Sequence, residues 1–595
     1  MKTILNRNGA SWANRAGVKK LAIIGAITTI VLMIGAQNPG SAAATLAADS
    51  IASAAAATRL KCSEMISSNL RMTGVQIVRS ATMNGDPQAP SSYCVIQGRL
   101  NPRKGSDGKN YAIGFELRLP LAWNGRLVHQ ANGGNDGSVV PALGNPANAS
   151  GNDNALIRGF AVLSIDAGHN GNDPVNASLG LINGNVFGLE PQARSDYGYS
   201  ANNTILPIAK SIVEKYYGQK PSYAYMVGCS NGGRHGLVAA SRYPDLYDGI
   251  VSGNPGFNLP KAAVQHAWDV QSFQIADPDM RKAFSREDMT LVANKVTATC
   301  DALDGAEDGI VGNLNACQTK FNLADLECKG AKNATCLSAN QVKALSQSLA
   351  GPKNSKGEQL YSNWPYGAGL GGGDWRFWKL ESGVPPWDNY PLIATLGGGS
   401  LSYIFTTPPT QTPGKPADLV GFLSKFNFDT DAPKIFSKSG DYKESSMEFM
   451  TPPDATDPKL TEFQAKNRKL IVYHGDSDPV FSVNDTINWY EKLAKNNKGD
   501  ASSFARLFVI PNMNHCRGGP ATDQFDALSA IVNWVETGTP PDTLIATVNP
   551  TNPELPEKWS KTRTRPLCVW PKIAKYTGGE KGNLEVAASF TCDLP

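Results

Sequence analysis

Three short segments place the residues of acyl-transfer chemistry in a set order along a chain of 595 residues. Gly228-Cys-Ser-Asn-Gly232 matches the G-x-S-x-G pattern, in which a serine is lifted onto a sharp turn between a strand and a helix. Ser230 is therefore the candidate nucleophile. Glycines at 228 and 232 would let strand and helix approach closely, and the free N–H groups opening the following helix would face a developing oxyanion. A plain Gly/Ser-rich turn competes with this reading, because the chain has 58 glycines.

A serine alcohol is a poor nucleophile near neutrality, so it needs a base to take its proton and an acid to orient that base. Six histidines are available, at 129, 169, 235, 266, 474 and 515. On a hydrolase sheet of this kind the chain order is serine, acid, histidine, which favours His515 as base and, in His474-Gly-Asp-Ser-Asp478, Asp478 as acid. Asp476 competes for the acid role but reads as a solvated turn residue. His474 reads as a strand-end residue packed beside the site, and His235 as a helix residue too near Ser230 in sequence to serve it. The loop Asn132-Gly-Gly-Asn-Asp-Gly137 follows an early strand and offers the Gly134 N–H as an oxyanion donor, with a plain flexible turn as the alternative.

The elements that must position these groups follow an α/β rhythm. Strand-like runs fall at 111–119, 125–130 and 160–165 after a weakly helical lead-in. A helix at 201–217, the strand that ends in the serine turn, a helix at 231–242 and a strand at 247–253 come next. From 255 to 469 the rhythm stops in a Gly/Pro- and aromatic-rich region with four cysteines, read as an insertion folded over the site. The core resumes with strands at 469–475 and 505–510 and a helix at 524–536. The expected architecture is an α/β-hydrolase core, residues 45–254 and 470–595, with a large inserted lid at 255–469.

Composition narrows the setting. A net charge of +4 over this length gives no reason to expect nucleic acid or an anionic surface as partner. Residues 1–44 read as a secretory signal: Lys2, Arg7, Arg15, Lys19 and Lys20, an apolar run at 21–35, and Ser41-Ala-Ala-Ala44. The run is short for a membrane span, so the mature chain is expected to be secreted or periplasmic, without a stable membrane anchor, and monomeric. Ten cysteines in an exported chain suggest up to five disulfides. Spacing favours local pairs, Cys62 with Cys94, Cys300 with Cys317, Cys328 with Cys336 and Cys568 with Cys592, while no spacing suits zinc. Cys229 and Cys516 are left over, each adjoining a catalytic candidate; where nucleophile and base meet, their sulfurs come near bonding range.

The sequence resembles the tannase and feruloyl esterase family. Gly228-Cys-Ser-Asn-Gly-Gly233, His474-Gly-Asp-Ser-Asp478 and Asn514-His-Cys516 match that family's motifs in order, and the likeness covers most of the mature chain. The resemblance implies a Ser230–Asp478–His515 triad, a Cys229–Cys516 bridge, oxyanion N–H groups from Asn231 and Gly134, and a large lid. It also bears on Cys300-Asp-Ala-Leu-Asp-Gly-Ala-Glu-Asp-Gly-Ile310, which alone reads more readily as a solvated acidic turn. In the family this loop holds a structural calcium, implying Asp301, Asp304 and Asp308 as side-chain ligands with carbonyls from Ala306 and Ile310. No organic cofactor is implied. Asp374-Trp-Arg-Phe-Trp378 resembles a segment whose tryptophan covers an aromatic acyl group, which makes Trp378 the candidate, against a lid-core role.

Members of the family hydrolyse esters of aromatic acids such as gallate and ferulate and, in one branch, a terephthalate monoester. That branch grips the free carboxylate with an arginine, whereas Leu392-Ile-Ala-Thr-Leu-Gly-Gly-Gly-Ser-Leu401 has no cation. The expected substrate is therefore a small ester of a neutral phenolic acid, feruloyl or galloyl. The rivals are a terephthalate monoester hydrolase, a non-catalytic aromatic-ester binding protein and a serine peptidase on the same fold.

Overall fold

The computed structural model describes residues 61–89, 91–144 and 153–595, so the leader expected at 1–44 lies outside the described residues. Nine strands build one sheet: β1 (Val75–Met83), β2 (Tyr93–Lys104), β3 (Asn110–Pro120), β4 (Arg126–Ala131), β5 (Ala161–Ile165), β6 (Tyr223–Cys229), β7 (Gly249–Gly253), β8 (Lys469–Gly475) and β9 (Ala505–Ile510). Their spatial order is β1-β2-β3-β5-β4-β6-β7-β8-β9. From β5 to β9 every neighbouring pair is parallel, and β1, β2, β3 and β5 pair antiparallel.

The lead-in before residue 111 is a correction to the sequence reading. It holds only short turns of helix, Cys62–Glu64 and Ser67–Leu70, before β1 and the twelve-residue β2. The run Tyr93-Cys-Val-Ile96 is buried on both faces, so it lacks the alternation that announces a half-exposed strand.

Successive side chains of the central strands enter opposite layers. Leu127, Leu163, Met226, Ile250 and Leu470 pack on one face against Ile205, Ile212 and Leu237 of the helices Ala201–Tyr217 and Asn231–Arg242. Val128, Val162, Val227, Val251 and Ile471 face the other way, onto Leu528 and Ile531 of Ala527–Thr537.

Between β7 and β8 the segment 255–468 adds no strand to the sheet. Its helices pack around an apolar cluster that holds Phe273, Phe284, Val292, Leu345, Trp375 and Leu419 and also takes in Ile182, Phe187 and Tyr197 from between β5 and β6. Core and insertion nevertheless fall in one contact unit. Five disulfides form: the four local pairs expected from spacing, and Cys229–Cys516 across 287 residues of sequence. Among the described residues no helix is long and apolar enough to cross a membrane.

Candidate active site

β6 delivers its last residue, Cys229, to a turn in which Ser230 adopts φ 66° and ψ −127°, and the helix Asn231–Arg242 begins at the next residue. A serine is held in this disfavoured region because its surroundings over-determine the turn. Ser230 N donates to Gly253 O at 2.9 Å, and a Cβ on Gly232 would stand 2.3 Å from Ala131 O. The glycine thus lets the elbow helix start directly beside β4. The loop after β4 passes on the other side, where a Cβ on Gly133 would lie 3.7 Å from Ser230 Cβ. Among the described residues neither the Gly134 N–H nor the Asn231 N–H has a hydrogen-bond acceptor, so two donors stand open next to the hydroxyl-bearing residue.

The acid and base candidates meet. His515 Nδ1 lies 2.9 Å from Asp478 Oδ2, which leaves Nε2 as the basic nitrogen once Nδ1–H points at the carboxylate. Asp478 is buried and saturated with donors: Val480 N at 2.7 Å and Phe481 N at 3.1 Å on Oδ1, and Asn254 Nδ2 at 2.7 Å on Oδ2. His474 Nε2 adds a contact at 3.2 Å. Burial pushes the Asp478 carboxyl up, but the His515 charge and the hydrogen bonds from both histidines outweigh it and hold the pKa well below the usual carboxylate range. Burial works against a charged His515, and Asp478, with Asp374 behind it, more than offsets this and raises its pKa.

The Cys229–Cys516 disulfide, whose Cα atoms are 6.1 Å apart, joins the residue before Ser230 to the residue after His515. No hydrogen bond joins the Ser230 and His515 side chains in this conformation among the described residues; such bonds commonly tighten only when substrate is bound. The rings of Trp378 and Phe481 stand steeply to the His515 ring, with centroids at 5.3 and 5.5 Å. Trp378 therefore lines the histidine rather than serving the lid core alone.

Three features differ from the sequence reading or escaped it. Asp476 is 2 % exposed, not a solvated turn: its Oδ1 accepts from Ser477 Oγ at 2.9 Å and Asn512 N at 2.8 Å, and burial lifts its pKa to about 7. Asn254, which donates to the Asp478 carboxylate, carried no signal, being one asparagine after a strand. Asp374 accepts from the His515 N–H at 3.2 Å, and burial lifts its carboxyl to about 7; its place beside Trp378 in one segment was the available clue.

Residues 94–593 match the family model described as tannase and feruloyl esterase. The chain belongs to this family. It is similar to a mono(2-hydroxyethyl) terephthalate hydrolase of Piscinibacter sakaiensis, 38% identical over 548 residues that cover 87% of each chain. It is also similar to a probable feruloyl esterase of Arthroderma benhamiae, 29% identical with 88% of this chain and 90% of the relative covered. The crystal structure of feruloyl esterase B from Aspergillus oryzae superposes with a TM-score of 0.62 at 23% identity, covering 88% of this chain and 97% of that one, which shows the shared fold. This tannase-family chain is a carboxylic ester hydrolase with an α/β-hydrolase core.

In this esterase the acidic loop is built from its own backbone. Asp301 Oδ1 accepts from Asp308 N and Gly309 N, and Asp304 from Ala306 N and Gly312 N. Asp308 Oδ2 is paired with Arg565, and its Oδ1 accepts from Ile310 N. Among the described residues no three acidic, histidine or cysteine side chains converge as a metal cluster. The donor chemistry nevertheless suits a hard dication: burial raises the Asp301 carboxyl and pushes that of Asp304 up to about 7, and the charge of Asp308 adds to both.

Proposed function

We propose that this esterase is exported and hydrolyses small esters of neutral phenolic acids, of the feruloyl or galloyl kind, through an acyl-serine intermediate. The observation that carries the mechanism is the 2.9 Å contact of His515 Nδ1 with Asp478, clipped by Cys229–Cys516 to the residue preceding Ser230. Ser230 Oγ attacks the ester carbonyl while His515 Nε2 takes its proton. The carbonyl oxygen becomes an oxyanion facing the N–H groups of Gly134 and Asn231. As the intermediate collapses, the C–O bond to the alcohol breaks and His515 returns the proton to that alcohol. Water then attacks the acyl-serine, His515 takes one of its protons, and the free acid leaves as Ser230 regains its hydrogen. Asp478 stays ionised throughout and holds the imidazole in the productive tautomer.

The preference for a neutral acyl group is supported by the cations beside Trp378. Lys379 is buried in an ion pair with Asp269, and Arg376 is committed to Glu381 at 2.8 Å and to Phe284 O at 3.0 Å. Neither is free to clamp a second carboxylate. Export is supported by the five disulfides. For the acidic loop we propose a structural calcium held by the carboxylates of Asp301, Asp304 and Asp308 with the carbonyls of Ala306 and Ile310; it would supply fixed positive charge among these oxygens and takes no part in ester cleavage.

The test is Ser230→Ala assayed on methyl ferulate, methyl gallate and a terephthalate monoester. Folded protein with no turnover of any ester is expected, and retained turnover would refute the nucleophile. For the unmodified enzyme, faster turnover of the terephthalate monoester than of the two phenolic esters would overturn the acyl preference.

A further inference from the structure

The reaction as written makes no use of the Asp136 carboxyl group, although the loop that carries it borders the nucleophile. Asp136 lies two residues beyond Gly134 at φ 54°, and its side chain, like that of His235, is 2 % exposed. One oxygen, Oδ2, accepts from Asn231 Nδ2 at 2.7 Å and faces His235 Nε2 at 2.9 Å. The other end of the Asn231 amide is also held, because its Oδ1 accepts from Arg234 Nε at 2.6 Å. Arg234 is itself fixed, donating to Gly198 O at 2.7 Å and Tyr197 O at 3.0 Å. His235 Nδ1 faces Asn202 Nδ2 at 2.9 Å and Arg234 Nη2 at 3.2 Å, while its Nε2 lies nearest the Asp136 carboxyl, with Arg234 Nη2 at 3.3 Å and Asn231 Nδ2 at 3.4 Å beside it.

We propose that Asp136 is a positioning residue that sets the gap between the two oxyanion donors, by fastening the loop of Gly134 to the side chain whose own backbone N–H is the second donor. The inference rests on the reading of Gly134 and Asn231 as those donors. The rest of the loop is anchored at its ends, by Asn132 Nδ2 on Ile165 O at 2.7 Å and Gly137 N on Asp166 O at 3.0 Å. Tyr197 OH steadies the Gly134 carbonyl at 3.4 Å, and Asn135 reaches Ser400 of the insertion at 2.9 Å. None of these contacts ties the two donors to each other; the Asp136–Asn231 bond does. Oxyanion donors act over a narrow distance range, so losing that tie weakens the transition state while leaving substrate contacts in place.

The electrostatics agree with a neutral fastener. Burial lifts the Asp136 carboxyl to about 8, against the opposing pull of Arg234 and the Asn231 amide. Burial, then the Arg234 charge, keeps His235 neutral. Asp166 and Tyr197 are the other titratable groups coupled to this carboxyl. An amide at 136 therefore retains the essential acceptor oxygen.

The experiment compares Asp136→Ala, Asp136→Asn, Asn231→Ala and the double alanine variant in the full chain, reading kcat, KM, the affinity for an aromatic boronic acid that forms a tetrahedral serine adduct, and the affinity for ferulate. Asp136→Ala is expected to lower kcat about 10- to 100-fold and to weaken the boronate by a like factor, with KM and ferulate affinity within about threefold. Asp136→Asn should stay within about threefold of the parent, and the double variant should be no worse than the poorer single one. Folded Asp136→Ala with parental kcat, a loss carried by KM, or additive losses would overturn the proposal. Where Asp136→Ala does not fold, Asn231→Ala decides, and parental kcat there overturns it equally. Ser230→Ala separates the two levels: activity in that variant sinks the underlying mechanism, whereas an inactive Ser230→Ala beside an unaffected Asp136→Ala sinks only the fastener.

Discussion

Ser230 and its oxyanion loop are held chiefly by the sheet, whereas Asp478 and His515 are gripped by the insertion. On the first side the elbow leans on Gly253 O, and Ser252 Oγ donates to Gly233 O at 2.6 Å, while the insertion adds Gly256 N on Ser230 O at 3.4 Å, Met450 O under Arg234 at 3.2 Å and Ser400 beside Asn135. On the second side, Trp364 Nε1 donates to Asp478 O at 3.0 Å and Gly369 N to Ser477 Oγ at 3.1 Å. Asn514 Nδ2 is shared between Gly369 O at 3.1 Å and Ser477 O at 3.0 Å, and Asp374 takes the His515 N–H. The insertion therefore does more than fold over the core, because Trp364, Gly369 and Asp374 hold the backbone around Asp478 and His515.

That contrast can be broken most forcefully at Asn514. Asn514→Leu leaves two buried carbonyls without their donor, and kcat is expected to fall about 100-fold while ferulate affinity stays within about threefold, since the base rather than the acyl site is disturbed. Folded Asn514→Leu with parental kcat would show that the insertion does not align the acid and base. A smaller effect is expected from Asp374→Asn, read in the pH profile. Activity requires neutral His515, so kcat/KM rises with pH as the imidazole loses its proton. Asp478 and Asp374 place that rise above the ordinary histidine value near 6.5, and removing one carboxylate moves it to lower pH. An unmoved acid limb would show that Asp374 acts on His515 through its backbone alone. The smallest change is expected from chelation, which should lower the melting temperature by about 2–4 °C with kcat little altered. An unchanged melting curve would count against calcium in the acidic loop.

Much of this arrangement was legible in the sequence, for reasons that differ between the two sides. The elbow and the order Ser230, Asp478, His515 are local patterns whose spacing follows from a strand-turn-helix geometry. β4 to β9 declared themselves as short apolar runs bounded by turn residues. β2 did not, because burial on both faces removed its alternation. The supports of the second side were hidden for another reason: Asn254, Trp364 and Asn514 act through contacts 37 to 260 residues away along the chain, and no local pattern encodes such a meeting. Asp476 was misread because a carboxylate in a Gly-Asp-Ser turn is usually wet, and only the packing of the Asn512 loop over it reveals otherwise.

The cystine at 229 and 516 has a bearing on how such a protein withstands proteases. It closes a ring that contains the whole insertion, including its exposed turns. A single backbone cut anywhere between these positions leaves the fragments carrying nucleophile and base in one covalent molecule, able to stay docked through the shared sheet. A nicked sample would run as two bands only after reduction, and its surviving hydrolytic rate would vanish with the same reductant.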